Sequence, residues 1–169
     1  MTAKPTSTTT PDRHAPELSP DLAELVTLAT AARSRAYAPY SRFFVGAAVR
    51  TSDGQIYTGA NVENASYGLS VCAERTAILQ AVGAGARGIA AVAVCTELDP
   101  PAAPCGMCRQ TLSEFAVDCP VILCTPEGLA GPLWTTRLSE LLPHAFRRDE
   151  LLEYQAEEPP ASPQERASR

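Results

Sequence analysis

Two short cysteine motifs carry the most chemistry in this sequence, Cys72-Ala73-Glu74 and Pro104-Cys105-Gly106-Met107-Cys108. In the second, two thiols stand three residues apart at a predicted helix start. Both side chains can point at one ion there, and the positive end of the helix favours their thiolate form. Such a pair is a moderate signal by itself. Cys72 strengthens it, because it opens the preceding predicted helix. In a β-α-β arrangement two consecutive helices bring their N-termini to the same edge of the sheet, where Cys72 completes a tripod with Cys105 and Cys108. Three protein ligands leave the fourth tetrahedral position of zinc to water, the arrangement of a catalytic site rather than a closed structural one. Glu74, two residues beyond Cys72, is then placed to reach that water.

Three thiolates outweigh the two charges of a zinc ion and make its water less acidic than neutral ligands would. Two helix N-termini and a nearby cation offset this, and Arg75 is the candidate for hydrogen bonding to the sulfurs. Its plainer reading is a surface arginine in a helix salt bridge. From spacing alone, metal binding by the trio ranks above thiol redox chemistry and above three buried free thiols. Cys95, Cys119 and Cys124 sit in or beside apolar runs and read as small core residues. His14 and His144 are not at ligand spacing.

The elements that position these residues follow from periodicity. Ser19-Pro20-Asp21 reads as a helix start, with Leu22, Leu25, Val26, Ala29 and Ala32 on one face, running to about Tyr37. Phe43 to Val49 and Gln55 to Ala60 are β-prone runs joined by Ser52-Asp53-Gly54, a hairpin turn. A helix from about Val71 to Gly83 precedes the apolar strand Ile89 to Cys95. A helix from near Cys105 precedes the strand Pro120 to Cys124, and a short helix around Leu138 to Leu142 ends at Pro143. Strands alternating with helices imply an α/β layered fold in which at least the later strands run parallel.

At 169 residues the chain is one domain of ordinary size. Residues 1–18 and 154–169 are polar and rich in Pro, Thr, Ser or Glu, and are expected to be disordered arms around a domain at 19–153. The net charge of -5, with Lys4 the only lysine, leaves no basic stripe for a polynucleotide, so nucleic-acid substrates are disfavoured. No segment resembles an export signal or a membrane span, which points to a soluble cytoplasmic protein with no membrane partner, in a compartment where six cysteines stay reduced.

The run Asn61-Val62-Glu63-Asn64-Ala65-Ser66-Tyr67-Gly68-Leu69-Ser70-Val71-Cys72-Ala73-Glu74-Arg75-Thr76-Ala77-Ile78 resembles the zinc box of small cytidine deaminases. Pro104 to Gln110 resembles their second box, and Tyr37 to Phe43, Val45 to Ala48 and Leu141 to Phe146 also match, so the resemblance covers roughly Leu22 to Leu152. It implies a three-layer α/β/α sandwich around a mixed five-stranded sheet. It further implies one zinc per chain on Cys72, Cys105 and Cys108, and a homotetramer with shared active sites. The implied activity is hydrolytic deamination of free cytidine and deoxycytidine in pyrimidine salvage, with Glu74 passing a water proton to N3 and then to the leaving amine. Phe43 would lie against the pyrimidine, Ala73 would also contact the substrate, and Asn61 and Glu63 would hydrogen-bond the ribose hydroxyls. Ala65 and Tyr67 would reach into an adjacent subunit's site, and Phe146 would close over the base from another. Ala60, Phe44 and Ala103 depart from the residues common at those positions, which touches loop packing rather than chemistry.

Outside the resemblance, Phe43 reads equally as a core residue, and Asn61 and Glu63 as turn-capping loop residues. Three rival functions remain. The first is deamination of another aminopyrimidine nucleoside, such as an antibiotic. The second is a thiol oxidoreductase using Cys105 and Cys108, which leaves Cys72 and Glu74 unexplained. The third is a structural zinc module with a fourth ligand from Cys95, Cys119 or Cys124.

Overall fold

The computed structural model describes residues 18–156. The expected arms at 1–18 and 154–169 therefore lie almost wholly outside the described residues. Helix α1 (Pro20–Arg33) starts with proline in its first turn and buries Leu25, Val26, Ala29 and Ala32, the face the periodicity predicts. It stops at Arg33, short of the expected Tyr37. The Ser34 hydroxyl turns back onto the Ala31 carbonyl, and Tyr37 is claimed elsewhere: its N–H donates to Asn61 O and its carbonyl accepts from Glu63 N. Backbone groups engaged in a bridge to a distant segment cannot continue a helical ladder.

Strands β1 (Gly46–Thr51) and β2 (Ile56–Ala60) form the expected antiparallel hairpin. Phe43 lies ahead of β1 rather than in it. The Asn61 side chain binds both Phe43 O and Val45 N, which takes this stretch out of the strand ladder. Helix α2 (Ala73–Gly83) leads to β3 (Ile89–Cys95), and α3 (Gly106–Phe115) leads to β4 (Pro120–Cys124). A further strand, β5 (Leu133–Arg137), and the one-turn helix α4 (Leu138–Leu141) follow. A last helix, α5 (Arg148–Ala156), which the periodicity does not reveal, carries regular structure three residues past the boundary expected at 153.

The five strands line up as β2-β1-β3-β4-β5. Only β3 and β4 run parallel; β1 is antiparallel to both of its neighbours and β5 is antiparallel to β4. The sheet is therefore mixed, as expected, and the parallel pair is the one bridged by α3. Alternation along the strands splits the core in two. Ala48, Ala91, Ala93, Cys95, Ile122 and Cys124 face α1. Ala47, Val49, Val92, Val94, Val121 and Leu123 face the layer that contributes Ala77, Ile78, Leu112 and Leu138. Helices on both faces make the three-layer α/β/α sandwich. Burial of a side chain such as Ile78 or Leu112 contributes roughly 1.5–3 kcal/mol.

Two glycines set how closely the helices approach. A Cβ on Gly46 would lie 2.1 Å from Ala29 O, and one on Gly59 would lie 2.4 Å from both Ala73 O and Ala77 N. The second contact seats the first turn of α2 directly on β2, which places Cys72 and Glu74.

Candidate metal centre and active site

Cys72 and Cys105 are the N-cap residues of α2 and α3, each with extended backbone and neither using its side chain to cap the helix. Their thiols are thus free to point away from the helices, toward a common centre. Cys108, one turn into α3, is fully buried and completes the group. The sulfurs of Cys72 and Cys105 are 3.8 Å apart and those of Cys105 and Cys108 are 3.5 Å apart, with all three within 4.8 Å of one another. Tetrahedral zinc–sulfur bonds of about 2.3 Å require sulfurs about 3.8 Å apart, so the donor set and its spacing fit zinc. Among the described residues this is the one converging group of three possible ligands.

Of the three sulfurs, Cys72 is the one whose surroundings favour the anion. Hydrogen bonding from Cys108, with help from Arg75 and Cys105, pulls the Cys72 thiol down to about 5, while donation to Cys72 and burial push Cys108 up. Arg75 Nη2 lies 3.8 Å from Cys72 Sγ and donates to Ser70 O at 3.1 Å. The arginine therefore faces the sulfurs, as the charge argument requires, rather than forming a surface salt bridge. Glu74 is only 4% exposed. Burial, reinforced by the neighbouring Cys72 charge, raises its carboxyl pKa above the ordinary range, which suits a group that must both take and give a proton.

Cys72, Glu74 and Cys105 open onto a cavity of about 180 Å³. Its walls are apolar where Phe43, Val45, Ala73 and Val94 stand, and polar where Asn61 and Thr96 stand. Phe43 also packs against the core, so its two sequence readings coexist. Thr96 is a site residue that sequence reasoning missed. The available signal was its place just past the C-terminal end of β3, where ligands bind in α/β sheets.

Other expected site residues lie elsewhere. Glu63 is not in the cavity wall; its carboxylate accepts the N–H groups of Tyr40 and Ser41 and the Ser41 hydroxyl. That hydroxyl bond holds the Glu63 pKa below the usual range. Ala65 lies in an exposed loop and Tyr67 opens the exposed 3-10 turn that follows it (Tyr67–Leu69), its ring standing edge-on to that of Tyr40 with centroids 6.1 Å apart. Phe146 is 65% exposed, its carbonyl accepting from Gln110 Nε2 at 2.7 Å. Ala65, Tyr67 and Phe146 do not line the cavity of their own chain. Cys95 and Cys124 donate to the carbonyls of Thr125 and Val94 inside the sheet, and Cys119 is buried in the core. All three stand outside the metal trio, in the packing role expected of them.

The family model described as the cytidine and deoxycytidylate deaminase zinc-binding region matches residues 20–124, which span α1, both cysteine motifs and β4. The chain belongs to this family. The deaminase is 42% identical over 138 residues to a cytidine deaminase of Sporosarcina psychrophila, a match covering 82% of this chain and 99% of that one. It is 46% identical over 128 residues to a cytidine deaminase of Halalkalibacterium halodurans, covering 75% of this chain and 95% of the relative. Among solved structures, the cytidine deaminase from Burkholderia pseudomallei superposes with a TM-score of 0.68 at 49% identity, covering 73% of the deaminase and 97% of that chain. The likeness thus extends over the whole sandwich, not only the thiol motifs.

Proposed function

We propose that the chain hydrolyses the exocyclic amino group of free cytidine and deoxycytidine, giving uridine or deoxyuridine and ammonia. The observation that carries this reading is the convergence of three thiols beside one small cavity, whose wall holds two of them, Cys72 and Cys105, together with the buried carboxyl of Glu74. Cys72, Cys105 and Cys108 would hold one zinc ion, which when bound would supply the Lewis acidity that makes water a nucleophile near neutral pH. Glu74 takes a proton from the attacking water and delivers it to N3 of the base, which makes C4 electrophilic. It then carries the second proton to the amino nitrogen; the C4–N bond breaks and ammonia leaves. Phe43 offers a ring face to the pyrimidine, and Ala73, with no side chain beyond Cβ, lets the base approach α2. Asn61 uses one donor and one acceptor on the Phe43–Val45 backbone and keeps one N–H for a sugar hydroxyl. Glu63 supplies the acceptor beside it.

The cavity is smaller than the roughly 300–1,000 Å³ of a pocket that encloses a whole ligand, which supports a site finished by other chains. Tyr37, Tyr40, Val62, Tyr67 and Leu69 are between 46% and 76% exposed, an apolar surface suited to such contacts. The assembly is a homotetramer in which Ala65, Tyr67 and Phe146 serve neighbouring sites. The net charge of -5 suits a small-molecule substrate rather than nucleic acid, and no described helix is long and apolar enough to cross a membrane. The setting is cytoplasmic pyrimidine salvage.

The test is ultraviolet detection of cytidine conversion by zinc-loaded wild type beside Glu74→Gln. Wild type converts cytidine, and the variant keeps its zinc while turnover falls by about a hundredfold to ten-thousandfold. Near-normal turnover in the zinc-loaded variant removes Glu74 from the proton path. A wild type that ignores cytidine yet deaminates another aminopyrimidine nucleoside changes the substrate.

A further inference from the structure

The carboxylate of Glu63 is more heavily engaged than a solvent-facing acid needs to be. Oε2 accepts the N–H groups of Tyr40 at 2.9 Å and Ser41 at 3.1 Å, and Oε1 accepts the hydroxyl of Ser41. That hydroxyl has a second partner, since its oxygen accepts the N–H of Phe43 at 3.0 Å. One oxygen atom therefore joins the Glu63 carboxylate to the backbone of the aromatic residue in the cavity wall. Arg42, between Ser41 and Phe43, has φ of 56°, the one positive value at a non-glycine among the described residues. Such a conformation persists where its surroundings over-determine it, and they cluster at ligand clamps. Asn61 supplies the other half of the hold through Phe43 O and Val45 N. Segment 40–45 is thus held at one end by Glu63, through Tyr40 and Ser41, and at the other by Asn61, through Phe43 and Val45.

An ionised carboxylate offers roughly four acceptor sites, and the backbone and hydroxyl of residues 40–41 fill three of them. One acceptor site is left for a ligand hydroxyl. We propose that Ser41 is a positioning residue for sugar recognition: its hydroxyl holds the Glu63 carboxylate in the rotation that keeps this remaining acceptor available, and couples it to the Phe43 backbone. This rests on the reading of the chain as a cytidine deaminase in which Glu63 meets the sugar. Without the Ser41 hydroxyl, Oε1 gains a free site and the carboxylate is held through Oε2 alone. Substrate binding then has to supply the lost ordering.

Steady-state kinetics of zinc-loaded Ser41→Ala tests this. The side chain is exposed, so its removal leaves no core cavity. The expected result is a KM for cytidine raised roughly tenfold, the scale of one hydrogen bond to a charged group, with kcat within about twofold of wild type. Ser41→Gly, lacking the same hydroxyl, repeats this split, and Ser41→Thr, which keeps the hydroxyl, restores KM. Competitive inhibition by 2′,3′-dideoxycytidine, which has neither ring hydroxyl, is equal in wild type and Ser41→Ala. A Ser41→Ala enzyme with wild-type KM overturns the proposal. So does an equal loss for cytidine and the dideoxy analogue, which would confine Ser41 to holding the loop. A wild type inactive on cytidine removes the underlying functional reading instead.

Discussion

Arg75 shows how much a single side chain is asked to do at this site. Three thiolates around a zinc ion would leave an excess negative charge, and the guanidinium, with Nη2 3.8 Å from Cys72 Sγ, stands where it would spread it. Replacing Arg75 by Gln keeps polarity and shape but removes the charge. Zinc content measured by elemental analysis should remain near one per chain while kcat for cytidine falls about tenfold to a hundredfold, the usual scale for a partner of a metal ligand. Unchanged kcat would assign the compensation to the two helix N-termini alone. The pairs Cys72/Glu74 and Cys105/Cys108 were legible in the sequence because spacing along a helix start is a local property, and the alternation of strands and helices brought the two starts, 33 residues apart, to one sheet edge. The partners of Glu63 were not, since its hydrogen bonds run to residues 22 and 23 positions earlier.

Elements differ in legibility for a similar reason. The strands Ile89–Cys95 and Pro120–Cys124 appear as predicted because each is an unbroken apolar run buried on both faces. The strand Leu133–Arg137 is a half-exposed edge, short and partly polar, and carries no comparable pattern. Between α2 and β2 the decisive residue is Gly59, whose added Cβ would press on the backbone of Ala73, Thr76 and Ala77. Gly59→Ala should therefore destabilise the fold by about 1–3 kcal/mol through overpacking, lowering the thermal midpoint by about 3–12 °C in circular dichroism. The displaced first turn also carries Glu74, so kcat should fall as well. Gly83→Ala, whose methyl meets open space, should leave both unchanged. Equal effects of the two would mean that the contact beneath α2 is soft.

At the scale of the whole molecule, one chain brings Phe43, Asn61, Ala73 and Glu74 together with the thiol trio, while Ala65, Tyr67 and Phe146 face outward. If other copies finish each site, sedimentation equilibrium should give a mass near four times the 17.9 kDa of one chain. Refolded mixtures of Glu74→Gln and Phe146→Ala should recover activity beyond the sum of the two, because some sites then combine an intact Glu74 with a neighbour's intact Phe146. A merely additive mixture would confine each site to its own chain. By itself the sequence pointed to the thiol trio, to Glu74 beside it and to the helix and strand that support each motif, since these depend on residue type and short-range spacing. Only the tertiary structure decided that Asn61 and Glu63 clamp the segment carrying Phe43, that Thr96 joins the wall, and that α1 ends at Arg33. Those outcomes are set by hydrogen bonds and packing between residues far apart in the chain, whose meeting no local pattern specifies.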